Sequence, residues 1–516
     1  MMEQEIQVIN EPNTKERMLS FVHALLLPFV AYVLITAMMG VFENNGYPLL
    51  MMIGVAVLFV FTLLFGLFAG YRPNVQAIAA MIFGLLQGAY VWINGISFLA
   101  FFIGYQLPAF SYAYFVLALF GNQNRTIRGG LLVLDLVKAT FVYPFLSFVS
   151  WFTSLFRHSK ENKKLSHAIL YTVIGVIGAL VLGVVVIALL SFDPSFKKLF
   201  TFDFNWDDFP MIFFKLIVTV PLSALLFGAF TSSRKHKLPG MSTPQQADSL
   251  ATRMKKLPAV ILMIPVLVLL VIYGLFFFTQ WDTYMSAFSG ILPPAFTAAE
   301  YARNGFFELC AVALINTALG TAMSLFMKET DKASVLLKKI ANTLLAFATL
   351  ILIATALSKM ILYIKRFDLT VLRLLTSVIL IVIALGFTVS ILSQWIRRIK
   401  VMPVLIVTVS LILLATPFLN VRGRIAKYNV DTYLARAEQG IKDNHIDVSY
   451  LVHDLGSAGV PEAVRLLESG KLEYRDKSDL KMYLEVKQKY LQEHNDFLDQ
   501  SLSDKCALKL LEQRNP

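Results

Sequence analysis

Long apolar runs broken by short polar interruptions fill the first four-fifths of the chain, and the last fifth alternates apolar and charged positions at helical spacing. A helix needs about 20 mostly apolar residues to cross about 30 Å of hydrocarbon. Eleven runs meet that length, at roughly 18–41, 49–70, 76–93, 96–120, 168–192, 211–231, 258–280, 305–327, 341–362, 373–395 and 402–419. Asn44–Asn45–Gly46 and Asn94–Gly95 are turn signals between neighbouring runs. Segment 131–156 is also apolar, but Asp135 and Lys138 stand a helical step apart on it. It reads as an amphipathic helix lying in the membrane interface with that pair on its wet face.

The tail, 420–516, reads as a set of short helices. Val430, Tyr433, Leu434, Ala437 and Ile441 follow i, i+3, i+4 spacing, with Asn429 placed as the cap. Asp447 opens a second helix, Pro461 lies in the first turn of a third that Gly470 ends, a longer one runs from about Ser478 to Leu502, and a short one follows Asp504. The expected fold class is therefore an all-α integral membrane protein: about eleven transmembrane helices, one interfacial amphipathic helix and a C-terminal soluble helical domain. Its divisions are an N-terminal segment (1–17), a four-span bundle (18–120), an interfacial helix with a basic loop (121–167), a seven-span domain (168–419) and the tail (420–516).

Composition agrees with the pattern. Of 516 residues 57% are hydrophobic and 16% charged, against about half and about a quarter in soluble domains. The chain also carries 42 Phe. That excess excludes disordered, collagenous and ordinary water-soluble readings. The lipid bilayer is the expected solvent.

Charge sets the sidedness. The tail holds 15 basic and 16 acidic residues, whereas 1–419 holds 31 basic and 18 acidic, so the whole excess of +12 belongs to the apolar part. It sits in short loops, which makes it a topology signal and argues against a nucleic-acid partner. Arg157, Lys160, Lys163 and Lys164, then Arg234 to Lys256, then Lys328 to Lys339, then Arg397, Arg398 and Lys400 all fall on one side if the spans alternate. That side is read as cytoplasmic, with the N-terminus inside and the tail outside. Lys365, Arg366 and Arg373 fit less well, and four stronger loops outvote them.

The motifs with a known mechanism are missing: no phosphate loop, dinucleotide fingerprint, H-E-x-x-H, nucleophile elbow or EF-hand loop. Cys310 and Cys506 are unlikely partners for each other, and the seven His residues are scattered, so no metal or cofactor is expected. The polar groups at membrane depth form the remaining candidate site: Glu300, Arg303, Glu308, Asn316 and Arg373. A carboxylate among arginines could bind an anionic headgroup or gate a polar path. The competing account is ion pairing, with Glu308 in the positive first turn of its helix, worth about 0.3–1 kcal/mol.

Four stretches carry a resemblance. They are Gly178–Ala179–Leu180 running on to Ser191–Phe196, Glu300 to Leu309 (EYARNGFFEL), Tyr363 to Arg373 (YIKRFDLTVLR), and Lys427 to Asp431 (KYNVD). The chain resembles the bacterial polytopic membrane proteins called domain of unknown function 4173, with a sister grouping numbered 4153, over roughly 168–470. Asn304 stands where similar proteins often have Glu or Gln. The resemblance implies a multi-pass protein of a bacterial plasma membrane and assigns no reaction. The expected function is a non-enzymatic envelope scaffold or sensor whose outer domain meets an envelope protein or an anionic ligand at the outer face. The alternative is a transporter or permease built around Glu308.

Overall fold

The computed structural model describes residues 14–39, 47–122, 131–156, 209–235, 255–279, 298–328, 331–396, 398–441, 444–495 and 498–514, without the side chains of 298–310. Its elements are helical. The helices are α1 (Thr14–Met39), α2 (Pro48–Phe68), α3 (Val75–Asn94), α4 (Phe98–Leu119), α5 (Leu132–Leu146), α6 (Val149–Phe156), α7 (Phe209–Lys235), α8 (Ala259–Thr279), α9 (Ala298–Phe326), α10 (Lys332–Phe367), α11 (Val371–Trp395) and α12 (Val401–Ala415). The tail adds α13 (Val421–Glu438), α14 (Val460–Glu468), α15 (Tyr474–Glu493) and α16 (Leu502–Arg514).

Among the described residues nine helices are long and apolar enough to cross a membrane, or ten if the bent pair α5 and α6 counts as one span. The predicted run 168–192 lies outside the described residues. The predicted run 305–327 coincides with α9 as far as Phe326, and the side chains at its start, up to 310, lie outside the described residues. The whole of α9 has 29 residues, about 43 Å of helix.

Side-chain contacts place the helix ends on two faces. Arg234 at the end of α7 pairs with Glu16 at the start of α1, and Asn122 just after α4 donates to the carbonyl of Ser233. Leu257 bridges to Met327, and Lys339 of α10 lies 5.7 Å from the ring centre of Trp395 at the end of α11. These ends form one face, which carries Arg234, Lys235, Lys255, Lys256, Lys328, Lys332, Lys338, Lys339, Arg398 and Lys400. The opposite face holds the α3–α4 turn, the α10–α11 turn and the end of α12. There the Asn94 amide donates to the Pro417 carbonyl at 2.9 Å. Three of the four loop groups read as basic from sequence thus share a face, and the fourth, 157–164, lies outside the described residues.

Segment 131–156 keeps to the basic half. Ala139 and Tyr143 pack on Ala113 and Leu117 near the end of α4, the Ser232 hydroxyl meets Ser147 at 2.8 Å, and Trp151 donates to the Ala24 carbonyl at 2.9 Å. Gly228 makes this fit possible, because a Cβ there would lie 2.1 Å from the Pro144 carbonyl oxygen. The chain is bent by 47° between α5 and α6. One expectation is corrected: Asp135 is buried, facing the α4 side near Tyr114 rather than water. The period-3.6 pattern located the helix but could not tell a wet face from one covered by a neighbour.

The tail has its own apolar core, in which Ile425, Val430, Leu451, Leu466, Leu480 and Leu508 meet. That core runs on into Leu369, Val371 and Leu374 of the α10–α11 turn, so the tail is packed on the bundle. Asn429 is not a cap. The helix begins at Val421, eight residues earlier, and its cap is Asn420, whose side chain accepts from Gly423 N at 3.2 Å. Asp447 accepts from Tyr450 N at 2.8 Å, Pro461 lies in the first turn of α14, and Gly470 follows with φ +67°, all as expected.

Candidate functional site at the tail junction

The last span ends in a single 3-10 turn, Thr416–Phe418, and Asn420 then takes a left-handed conformation (φ +41°) that turns α13 across the face. Arg422, the second residue of α13, therefore folds back onto the α3–α4 turn. Its guanidinium donates to the carbonyls of Asn94 and of Ile96, the latter at 3.4 Å, and the side chain is buried. Gly95 (φ +76°) opens that turn and gives Arg422 room, a role an L side chain fills only with strain.

About two turns further along α13, a second latch forms. The Asn429 amide accepts from Leu369 N at 2.8 Å and donates to Leu369 O at 3.0 Å, and Val371 N donates to the Tyr450 hydroxyl at 2.7 Å. Arg436 lies 3.6 Å from the Asp368 carboxylate and donates to the Lys365 carbonyl. Asp368 holds φ +63° with ψ 173°, a region that glycine enters freely and an L side chain only with strain.

Burial raises the Asp368 carboxyl above its ordinary value, with Arg436 and Arg373 opposing the shift. The docked state thus holds the proton more tightly than the free chain. This contribution is whole below the ordinary carboxylate range and is lost as pH rises through the raised value. Asp368→Asn is therefore expected to tighten tail docking at pH 7, an advantage that fades near pH 4, where the aspartate is itself protonated. Thermal melts of the full-length protein across that range check the sign.

A cavity of 460 Å³ opens between tail and bundle. It is lined by the α3–α4 turn, Arg422, His453, Asp454, Lys487, Tyr490, His494, Asp499 and Asp504. A second cavity of 410 Å³ shares Ser97, Phe98, Arg422 and Asp454 and is bounded by Thr370, Val371 and Tyr450. Asp504 is already engaged: its carboxylate accepts from the hydroxyls of Ser457 and Ser501 and from Ser501 N. Lys487 lies 5.2 Å from the Tyr490 ring centre.

Burial lowers both cations below their ordinary values. Arg422 is partly supported by Tyr90 and Asp504, and Lys487 is supported by Asp504 and opposed by Arg422. Among the described residues no carboxylate comes within ion-pair distance of either one. No group of His, Cys, Asp and Glu among the described residues is arranged to hold a metal.

The residues singled out from sequence do not all meet. Glu300, Arg303 and Glu308 lie on α9 with side chains outside the described residues. Asn316 is buried in the bundle, accepting from the Tyr273 hydroxyl at 2.7 Å and donating to the Thr349 hydroxyl at 2.8 Å. Thr349 stands about five helical turns from the end of α10. Arg373 sits at that end, donating to the Phe367 and Asp368 carbonyls, 4.1 Å from the Tyr363 ring centre. Asn316 and Arg373 therefore belong to different layers. Sequence reasoning missed Arg422, Asn429 and Lys487. For Asn429 a signal existed, since an amide on the apolar stripe of a predicted helix calls for a partner.

The family model that matches is the domain of unknown function DUF4153, over residues 29–466. The chain belongs to the DUF4153 family. No curated protein and no solved structure matches it. The match corrects the resemblance drawn from sequence in two ways: it is to the grouping named there as the sister, and it begins within α1 rather than near 168. Arg422 and Asn429 lie inside the matched residues, whereas Lys487 and Asp504 lie beyond them.

Proposed function

We propose that this DUF4153 protein is a non-enzymatic membrane sensor whose tail closes over a binding cavity for an anionic group. The observation that carries the reading is a pair of cations at one cavity, the buried Arg422 and the half-buried Lys487. A buried charge costs several kcal/mol unless it is paired, so a cavity that keeps two such charges suits a negatively charged visitor. Arg422 also belongs to the contact between tail and bundle, so occupancy bears directly on how firmly the tail is held. The transport alternative has no comparable observation behind it.

The test uses full-length protein in nanodiscs with sodium phosphate, glycerol 3-phosphate and choline chloride. One of the anions is expected to stabilise the protein by about 2.7 kcal/mol at a hundred times its Kd, and choline to have no effect. Lys487→Met is expected to raise the basal melting midpoint, because a desolvated charge is removed, and to abolish the anion response. Equal shifts with choline and the anions, or an unchanged response in the variant, would refute the reading.

The topology proposed with it has eleven crossings, N-terminus and basic face in the cytoplasm of a bacterial cell, and the tail outside. It is supported by the lysines and arginines gathered on one face. It is also supported by the position of Asn122 and Phe209 on opposite faces while 131–156 holds to one of them, which asks for a crossing such as 168–192. Cys506 is exposed on α16. A membrane-impermeant maleimide added to intact cells is expected to label it; labelling only after lysis would reverse the orientation.

A further inference from the structure

The bundle holds a separate cavity of 530 Å³ between α9, α10, α11 and α12, a volume within the range of small-molecule sites. Its mouth lies at the basic face beside Gln394, Val401 and Met402, and its deep end reaches Asn316. Two glycines keep it open. A Cβ at Gly320 would meet only the Asn342 side-chain oxygen at 3.4 Å, and one at Gly386 would meet only Leu405 at 3.5 Å.

The wall carries polar groups without charge: among the described residues no Lys, Arg, His, Asp or Glu lines it. Three of the five hydroxyls that line it have spent their protons on their own helices. Thr317 donates to Ala313 O at 2.7 Å, Ser324 to Gly320 O at 2.8 Å and Ser393 to Ser390 O at 2.8 Å. Such a hydroxyl still offers lone pairs, so these three positions present acceptors. Amide donors face them, from Asn342 and, at the mouth, from Gln394. The Asn342 amide nitrogen is buried with no hydrogen-bond partner among the described residues, and Asn342 lines the cavity.

Acceptors on one side and a waiting N–H on the other match a group that both donates and accepts. A phosphate or carboxylate, which only accepts, would meet the lone pairs of Thr317, Ser324 and Ser393 and no charged lining residue to balance its own charge. The surroundings are apolar, with Ile381 of α11 and Val407 and Leu411 of α12 exposed toward lipid. We infer that this cleft binds the hydroxyl head of an uncharged alcohol, supplied by a lipid such as a monoacylglycerol with its chain lying against α11 and α12.

The experiment photolabels full-length protein in nanodiscs with a diazirine-bearing monoacylglycerol and, as the charged control, a diazirine-bearing lysophosphatidic acid of equal chain length. The neutral probe is expected to label peptides of α9 and α11 at least about tenfold more strongly, a difference of one decade in affinity. Gly386→Leu, which fills the cleft, and the isosteric Thr321→Val, which removes an acceptor, are each expected to reduce that labelling. Should Gly386→Leu fail to fold, Thr321→Val carries the test. Unlabelled monoolein is expected to compete and glycerol not to; competition by glycerol alone would keep the alcohol chemistry and overturn the lipid source. Equal labelling by both probes, or labelling unchanged in both variants, would overturn the proposal.

Discussion

Replacing Arg422 with alanine is expected to release the tail from the α3–α4 turn while leaving the bundle folded. The substitution removes two charge-assisted hydrogen bonds and leaves the buried carbonyl of Asn94 without its partner. Hydrogen bonds to a charged group contribute about 1.5–3 kcal/mol each, and the Ile96 contact at 3.4 Å is the weaker, so a loss of about 3 kcal/mol is expected. Against that stands the relief of desolvating a guanidinium. That relief offsets part of the loss, so about 3 kcal/mol is its upper figure. Hydrogen exchange should rise across 421–470 and stay unchanged in α1 to α4. Uniformly faster exchange, bundle included, would mean Arg422 holds the whole fold rather than the junction.

Much of this architecture was legible along the chain, and the reason lies in the solvent. A helix in lipid must satisfy its backbone internally, so length and hydropathy suffice to find it. Ten of the eleven predicted runs coincide with helices among the described residues. The sharing of a face by the basic loops was legible for the same reason, since lysine and arginine stay at the wet ends. Side-chain partners were not legible. Asp135 looked wet because Lys138 stood near it, and only the approach of α4 decides otherwise. Asn316 and Arg373 looked like one polar layer because both interrupt apolar runs, yet they lie at different depths. Nor could spacing reveal that Arg422 meets residues more than 320 positions earlier, at the α3–α4 turn.

Those long-range contacts change what the tail is. A charged segment after a last span reads as an appended unit, and its composition gives no hint of attachment. The structure instead sets three contacts in a row along α13: Arg422 on the α3–α4 turn, Asn429 on the α10–α11 turn, and Arg436 on Asp368. Positions 422, 429 and 436 are seven apart, which keeps them on one stripe of the helix. The apolar residues Ile425, Ala426, Val430 and Tyr433 fill the tail's own core from the adjoining face. One helix thus serves two surfaces, and its polar stripe is the seam between tail and membrane.

Asn429 is the middle member of that stripe, and Asn429→Ala is expected to cost about 2–3 kcal/mol of docking. Its amide mimics a backbone unit, meeting both the N–H and the C=O of Leu369, so the deletion leaves a donor and an acceptor buried without partners. Asn429→Asp separates the two bonds. The carboxylate can still accept from Leu369 N, but it faces the Leu369 carbonyl with a second acceptor, so the aspartate is expected to be worse than the alanine at pH 7. Lowering the pH should then favour the aspartate variant, since protonation restores a donor for the carbonyl. Alanine has no such recovery. Limited proteolysis at the α12–α13 connection measures the docked fraction directly. If both variants lose the same amount at every pH, the paired hydrogen bonds to Leu369 are not what holds the tail, and the apolar contacts of Leu369, Val371 and Leu374 must carry the attachment instead.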